Sequence, residues 1–327
     1  MKRVLGIGNA LVDIVTCIDN DKILTKLGLP KGSMNIVDTK KSQLVKDTTR
    51  RFSPSFSAGG SAANTIHGLG SLGVEAGFIG CIGDDDTGVY FDKGMMKVNV
   101  ETFLRKCDTP TGSCSSLVSP DSERTMATHL GAAVQVGPED VTEERFNNYD
   151  ILYLEGYLIP NRELMEKACE IAKGCNMEIA IDMASYNVVE ENIDFFDELI
   201  QKYVDIVFAN EEEAKVYTGK DADDAILDIS SKVDIAIVKT GKKGSLVKRG
   251  EEFIRFGSMD VDCIDTTGAG DLFASGFLYG YVHDYDMEKC GLCGTLLAGN
   301  VIQVMGAKMD SARWSSIKDG IAEIESM

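Results

Sequence analysis

Histidine is scarce in this chain. There are three among 327 residues, His67, His129 and His283, and none sits in a nucleophile or metal-binding motif. Histidine-centred hydrolysis and histidine metal sites are thereby set aside. No apolar run reaches membrane-spanning length. Met1-Lys2-Arg3 leads into Val4–Gly8, which reads as a buried strand and not as the apolar region of a signal peptide. Basic charge is also short: 33 Lys and Arg stand against 52 Asp and Glu, a net charge of −19. That balance argues against nucleic acid or an anionic membrane surface as a main partner. The nine cysteines are odd in number and scattered, which fits reduced thiols in a cytoplasmic protein better than a disulfide framework. Repeats, low-complexity tracts and linkers are absent from the sequence.

What is present reads as an α/β protein. Short, continuously apolar runs occur at Val4–Gly8, Ala76–Gly80, Ile151–Leu154, Ile179–Ile181, Ile206–Phe208 and Ile235–Val238. Such runs suit strands covered on both faces. Helical patterns fall between them, for example Asn161–Lys173 and Glu211–Thr218. The alternation predicts a central, mostly parallel sheet with helices on both faces. Ligands then bind outside the carboxyl ends of the strands. Two stretches, Ile14–Asp38 and Thr111–Thr128, alternate more and carry more Ser and Thr; they read as strands exposed on one face.

The most informative segment is Asp265-Thr266-Thr267-Gly268-Ala269-Gly270-Asp271. Gly268, Ala269 and Gly270 leave backbone N–H groups uncovered, and an apolar helical pattern follows. A helix N-terminus of this kind is an anion site. Asp271 stands where a general base faces that site. Its place near the helix N-terminus predicts that it stays ionised at neutral pH. An anion hole beside a carboxylate suits phosphoryl transfer to an alcohol.

The chain resembles the PfkB/ribokinase family of carbohydrate and nucleoside kinases. Asp265 through Asp271 match the family's D-T-x-G-A-G-D signature. Ala58-Gly59-Gly60-Ser61-Ala62-Ala63-Asn64, followed by Gly80-Cys81-Ile82-Gly83-Asp84-Asp85, matches the N-terminal one. Asn210-Glu211-Glu212-Glu213 matches the family's N-x-x-E. The resemblance runs from about Val4 to about Gly306, with all three motifs in order. It implies a single ribokinase-like α/β domain over residues 1–327, with a small β-sheet lid built from insertions at about 14–38 and 111–128.

It also implies an ATP- and Mg²⁺-dependent kinase. Asp271 would be the base, and the amides of Gly268, Ala269 and Gly270 would hold the developing charge. Asn9, Asp13, Gly59, Gly60 and Asn64 would bind the acceptor. Asn210, Thr240, Gly241, Gly244, Thr267 and Thr295 would line the nucleotide site. Glu213 would hold Mg²⁺ through water, and Asp265 would be a partial ligand to a monovalent cation such as K⁺. Some relatives pair through their lids, which allows a homodimer here. Details such as Gly8-Asn9-Ala10-Leu11-Val12-Asp13 and Pro110-Thr111-Gly112-Ser113-Cys114 look closer to adenosine kinase than to ribokinase, whereas Asp265-Thr266-Thr267 looks ribokinase-like. Adenosine or a related nucleoside is the first acceptor, with Met34, Ile36 and Leu117 as candidate base contacts. A furanose such as ribose or fructose is the second, and a non-catalytic ligand-binding relative is the remaining alternative.

Three patterns mislead. Gly68-Leu69-Gly70-Ser71-Leu72-Gly73 spells G-x-G-x-x-G but ends a helical pattern, so the dinucleotide-binding context fails. Val238-Lys239-Thr240-Gly241-Lys242-Lys243-Gly244 is not a Walker A loop. Cys290-Gly291-Leu292-Cys293 is a single CxxC inside a helical pattern, which reads as two buried thiols.

Overall fold

The computed structural model describes residues 2–121 and 123–327. Its strands are β1 (Val4–Ile7), β2 (Leu11–Cys17), β3 (Met34–Ile36), β4 (Ser55–Gly59), β5 (Ala76–Gly83), β6 (Val100–Cys107) and β7 (Gly112–Val118). They continue with β8 (Arg124–His129), β9 (Ile151–Glu155), β10 (Glu178–Asp182), β11 (Ile206–Asn210), β12 (Ile235–Lys239), β13 (Ser245–Arg249) and β14 (Glu252–Phe256). Nine form one sheet, in the order β14-β13-β12-β11-β10-β9-β1-β5-β6, and five form a second, in the order β3-β8-β7-β2-β4.

The large sheet is parallel from β12 through β6 and antiparallel only at β13 and β14. Every residue of β1, β5 and β9 is buried, as the continuous apolar runs require of strands covered on both faces. The helices Arg162–Gly174 and Ile193–Tyr203 close one face through a core containing Leu164, Phe195 and Phe196. The helices Ser61–Leu72 and Ala269–Val282 close the other, with Phe208 and Phe277 meeting edge to face at 5.6 Å. Each such buried aromatic contributes about 1.5–3 kcal/mol of transfer free energy.

The small sheet is amphipathic. β2 alternates half-buried and buried positions, so Leu11, Asp13 and Val15 share its open face. Register sets Asp13 beside Cys114, Cys114 beside Thr128 and Thr128 beside Ile36, a single row across four strands. The two stretches expected to hold exposed strands do contribute to this sheet, with differences. The first also contains the helix Lys22–Leu27, whose Ile23, Leu24 and Leu27 are buried under the sheet's back. β2 starts earlier, at Leu11, so Asp13 lies on a strand and not in a loop. β4 belongs to the same sheet and lies outside both stretches.

The misleading patterns fall where their context predicts. Gly68 and Gly70 lie inside the helix Ser61–Leu72. Cys290 and Cys293 are buried, unpaired thiols inside the helix Met287–Val301. Among the described residues, no helix is long and apolar enough to cross a membrane.

Candidate active site

The carboxyl ends of four neighbouring strands supply one edge of the site. β9 ends in Glu155, β10 in Asp182, β11 in Asn210 and β12 in Lys239. All four line a cavity of about 1060 Å³, whose opposite wall is the open face of the small sheet. A volume at the upper end of the usual range for small-molecule sites has room for two ligands.

The helix Ala269–Val282 opens into this cavity. Gly268 is its N-cap at φ +76°, a left-handed conformation that glycine reaches without cost. The expectation that all three small residues offer free amides needs correction at Ala269, whose N–H donates to Thr266 O at 3.1 Å. Among the described residues, the N–H groups of Gly268, Gly270 and Asp271 have no acceptor. They are the open donors of the helix end.

Asp271 is held from two sides. Ser61 Oγ donates to its Oδ1 at 2.8 Å and Asn64 Nδ2 to its Oδ2 at 2.9 Å. Lys308 Nζ donates to Asn64 Oδ1 at 3.0 Å, which fixes the amide with its NH₂ toward Asp271. Burial works against the ionisation of Asp271 that the helix end was expected to favour. Burial raises its pKa to about 6, against hydrogen bonds from Asn64 and Ser61. It therefore remains mostly ionised at pH 7. Asp13 is likewise pushed up to about 6 by burial, with Lys308 opposing. Burial lowers the Lys308 ammonium to about 8, while Asp13 and Asp271 hold its charge.

The remaining acceptor-side residues meet around Gly60. A Cβ there would lie 2.0 Å from Asn9 O, and its φ of +104° also demands glycine. Asn9 and the first turn of the helix Ser61–Leu72 are tied to a buried carboxylate, since Asn9 N and Ala62 N both donate to Glu155 at 2.8 Å. Among the described residues no cation pairs with Glu155, and burial raises it to about 7. Gly59 stands outside the cavity wall; a side chain there would strike the Asp13 carboxylate. Its smallness makes room for Asp13.

On the opposite side, Asn210 and Glu213 close a reciprocal capping box at the helix Glu211–Thr218. Burial, with Asp182 adding, raises Glu213 to about 7. Gly241, Gly244, Thr267 and Thr295 line the cavity, and the Thr295 hydroxyl is satisfied by Gly291 O at 2.9 Å. Thr240 does not line it: its hydroxyl donates to Gly244 O at 3.0 Å, and the preceding Lys239 faces the cavity instead. Asp265 is also off the wall and fully engaged. Its Oδ1 accepts from Thr267 N and Oγ1, and its Oδ2 from Gly306 N and the Arg124 guanidinium. A cation there would have to displace Arg124.

Among the described residues, no cluster of three or more His, Cys, Asp or Glu is arranged to hold a metal ion. Glu213 and Asp182 are two carboxylates on one wall. That donor set fits Mg²⁺, which keeps its waters and takes one or two carboxylates together with phosphate oxygens.

Met34 and Ile36 are exposed into the cavity, whereas Leu117 is fully buried behind the small sheet and contacts no ligand space. The sequence reading missed Glu155, Asp182, Lys239, Arg124 and Lys308. The first three are strand-terminal polar residues after apolar runs, a signal that could have been used. Arg124 and Lys308 carry no such signal.

Comparison with known proteins identifies the family. Residues 32–313 match the family model described as pfkB family carbohydrate kinase. An ATP-dependent ribose-1-phosphate kinase from Halopiger xanaduensis is 32% identical over 257 residues, covering 74% of this chain and 81% of that protein. Two solved structures superpose over 98% of this chain and 99% of theirs with a TM-score of 0.86 and 34% identity. They are a probable sugar kinase from Rhizobium etli and an adenosine kinase from Sinorhizobium meliloti.

Proposed function

Because the chain belongs to the PfkB family of carbohydrate kinases, and is thus an ATP-using phosphotransferase with a ribokinase-like fold, we propose that its acceptor is a nucleoside, adenosine first. The observation that carries this reading is the apolar acceptor wall. Met34, Ile36 and Val134 are 57%, 63% and 57% exposed, yet all three line the cavity with Leu11 and Leu130. Exposed apolar side chains grouped in a concave site favour an apolar ligand face. A purine base supplies one; ribose, fructose or a sugar phosphate does not. Of the cations on this side, Lys308 faces Asp13 and Asp271 and Arg124 is paired with Asp265, which disfavours a second phosphate.

In this reading, Asn9, Asp13, Gly60 and Asn64 position the sugar hydroxyls, and a primary hydroxyl approaches Asp271. The acceptor oxygen bonds to the terminal phosphorus of ATP as the bond from that phosphorus to the bridging oxygen breaks. The proton passes to an Asp271 oxygen, and ADP carries away the electron pair. The amides of Gly268 and Gly270 hold the charge on the transferring group. Mg²⁺, held through water by Glu213 and Asp182, would neutralise the ATP phosphates. The chain acts as one domain, with the small sheet as a lid that closes over the acceptor and excludes water.

The test is ADP release with Mg-ATP across adenosine, inosine, guanosine, ribose, fructose and ribose 1-phosphate. Preferred turnover of adenosine or another nucleoside supports the reading. Preferred turnover of a sugar or sugar phosphate replaces it with the sugar-kinase alternative.

A further inference from the structure

We propose that Lys239 is a catalytic residue of this chain, placed to bind the terminal phosphoryl group of ATP during transfer. The proposal rests on the assignment of the Gly268–Asp271 turn as the phosphoryl site. β12 ends at Lys239, and strand alternation turns Val238 into the core and Lys239 into the cavity. Its side chain is 15% exposed. The ammonium stands against the helix opening: a Cβ added to Gly270 would lie 3.1 Å from Lys239 Nζ and 3.9 Å from Cε. It is therefore adjacent to Gly270, one of the three residues of the helix opening whose N–H groups are unpaired among the described residues.

An ammonium has three donors. Among the described residues, Lys239 uses one, to Asp182 Oδ2 at 2.7 Å. Buried donors without acceptors are costly unless water or a ligand fills them. A fixed cation beside open amides is an arrangement that stabilises negative charge growing on phosphoryl oxygens. Asp182 orients the ammonium, and Gly270 leaves it room.

Lys239 contacts the terminal phosphate, which ADP lacks, and this sets the test. Affinities for Mg-ATP, Mg-ADP and adenosine are measured by calorimetry on wild type, Lys239→Met and Lys239→Arg. The double variant Lys239→Met/Asp182→Asn removes both charges of the buried pair, so that no lone carboxylate is left to perturb folding, and Asp182→Asn alone reads the part of any loss that comes from the place of Asp182 at Mg²⁺. Turnover is measured with the acceptor that wild type prefers.

The expected result is a loss of kcat by about a hundredfold or more in Lys239→Met and in the double variant, the size seen when one donor to a developing oxyanion is removed. Mg-ATP affinity falls by about tenfold, a difference of 1.4 kcal/mol, while Mg-ADP and adenosine affinities stay within about threefold. Lys239→Arg recovers part of the loss. Equal weakening of Mg-ATP and Mg-ADP, or wild-type kcat in the double variant, overturns the proposal. The ATP-against-ADP comparison needs no acceptor, so a wrong acceptor assignment leaves it intact.

Discussion

Asn64 donates from Nδ2 to Asp271 Oδ2 at 2.9 Å, joining residues 207 apart in sequence. The bond locks the carboxylate plane, while Ser61 occupies the other oxygen. Each oxygen then has one lone pair left for an incoming hydroxyl. Asn64→Ala removes this donor and leaves Lys308 without its Asn64 acceptor. A hydrogen bond to a charged group contributes about 1.5–3 kcal/mol, so kcat/KM should fall by about one to two orders of magnitude. The acidic limb of the pH profile should move upward, because a donor that favours the ionised form is gone. Unchanged pH dependence would place Asn64 outside the base's environment.

Lys308 is the cation shared by Asp13 and Asp271. Lys308→Met exposes the two carboxylates to mutual repulsion in a buried setting, where one of a close pair resists ionisation. The activity limb assigned to the base should rise above about 6, and acceptor KM should increase. Lys308→Arg should return the limb toward its wild-type position. A drop in kcat with no movement of the limb would reduce Lys308 to a packing role.

Glu155 gives a stability prediction with a definite sign. Burial lifts its folded pKa from 4.5 to about 7. Its favourable contribution is full below the unfolded value and is lost as pH rises through the folded value, since the native state then binds the extra proton. Glu155→Gln cannot titrate. Between pH 5 and pH 7 the stability difference should move in the variant's favour, by up to about 1.4 kcal/mol per pH unit. Denaturant melts at both pH values measure it; parallel curves would contradict the assignment.

Arg124 and Asp265 tie the small sheet to the approach of the catalytic turn, 2.5 Å apart with side chains 17% and 3% exposed. Removing one member of a buried pair costs about 3–5 kcal/mol, whereas removing both costs less. Arg124→Met should therefore lower Tm more than Arg124→Met/Asp265→Asn does. Equal losses would mean that the pair is not coupled.

The sequence carried six of the nine strands of the large sheet, because burial on both faces writes itself as unbroken apolar runs: each of the six runs lies within a strand or reaches one residue past its end, whereas the outer strands β6, β13 and β14, partly exposed, left no such run. Asp271, Gly268, Gly60 and Asn64 were legible because glycine placement and helix starts are local chemistry. Lys308 was not. Its role comes from contact with Asn64, 244 residues away, and nothing around Gly306-Ala307-Lys308 signals that neighbour. Thr240 and Lys239 show a different failure. Where a strand ends, alternation decides which of two adjacent residues faces the ligand, and a shift of one residue exchanges them. The pairing of Asp265 with Arg124 was not legible, because Arg124 arrives from the other sheet.

The role of Asp271 as the base is decided by Asp271→Asn, since the amide keeps the shape but cannot accept the proton. With the preferred acceptor and Mg-ATP, the account predicts a fall in kcat of about two to four orders of magnitude. Affinities for acceptor and Mg-ATP should stay near wild type, and the pH limb near 6 should disappear. Retention of wild-type kcat with the same pH limb would contradict it.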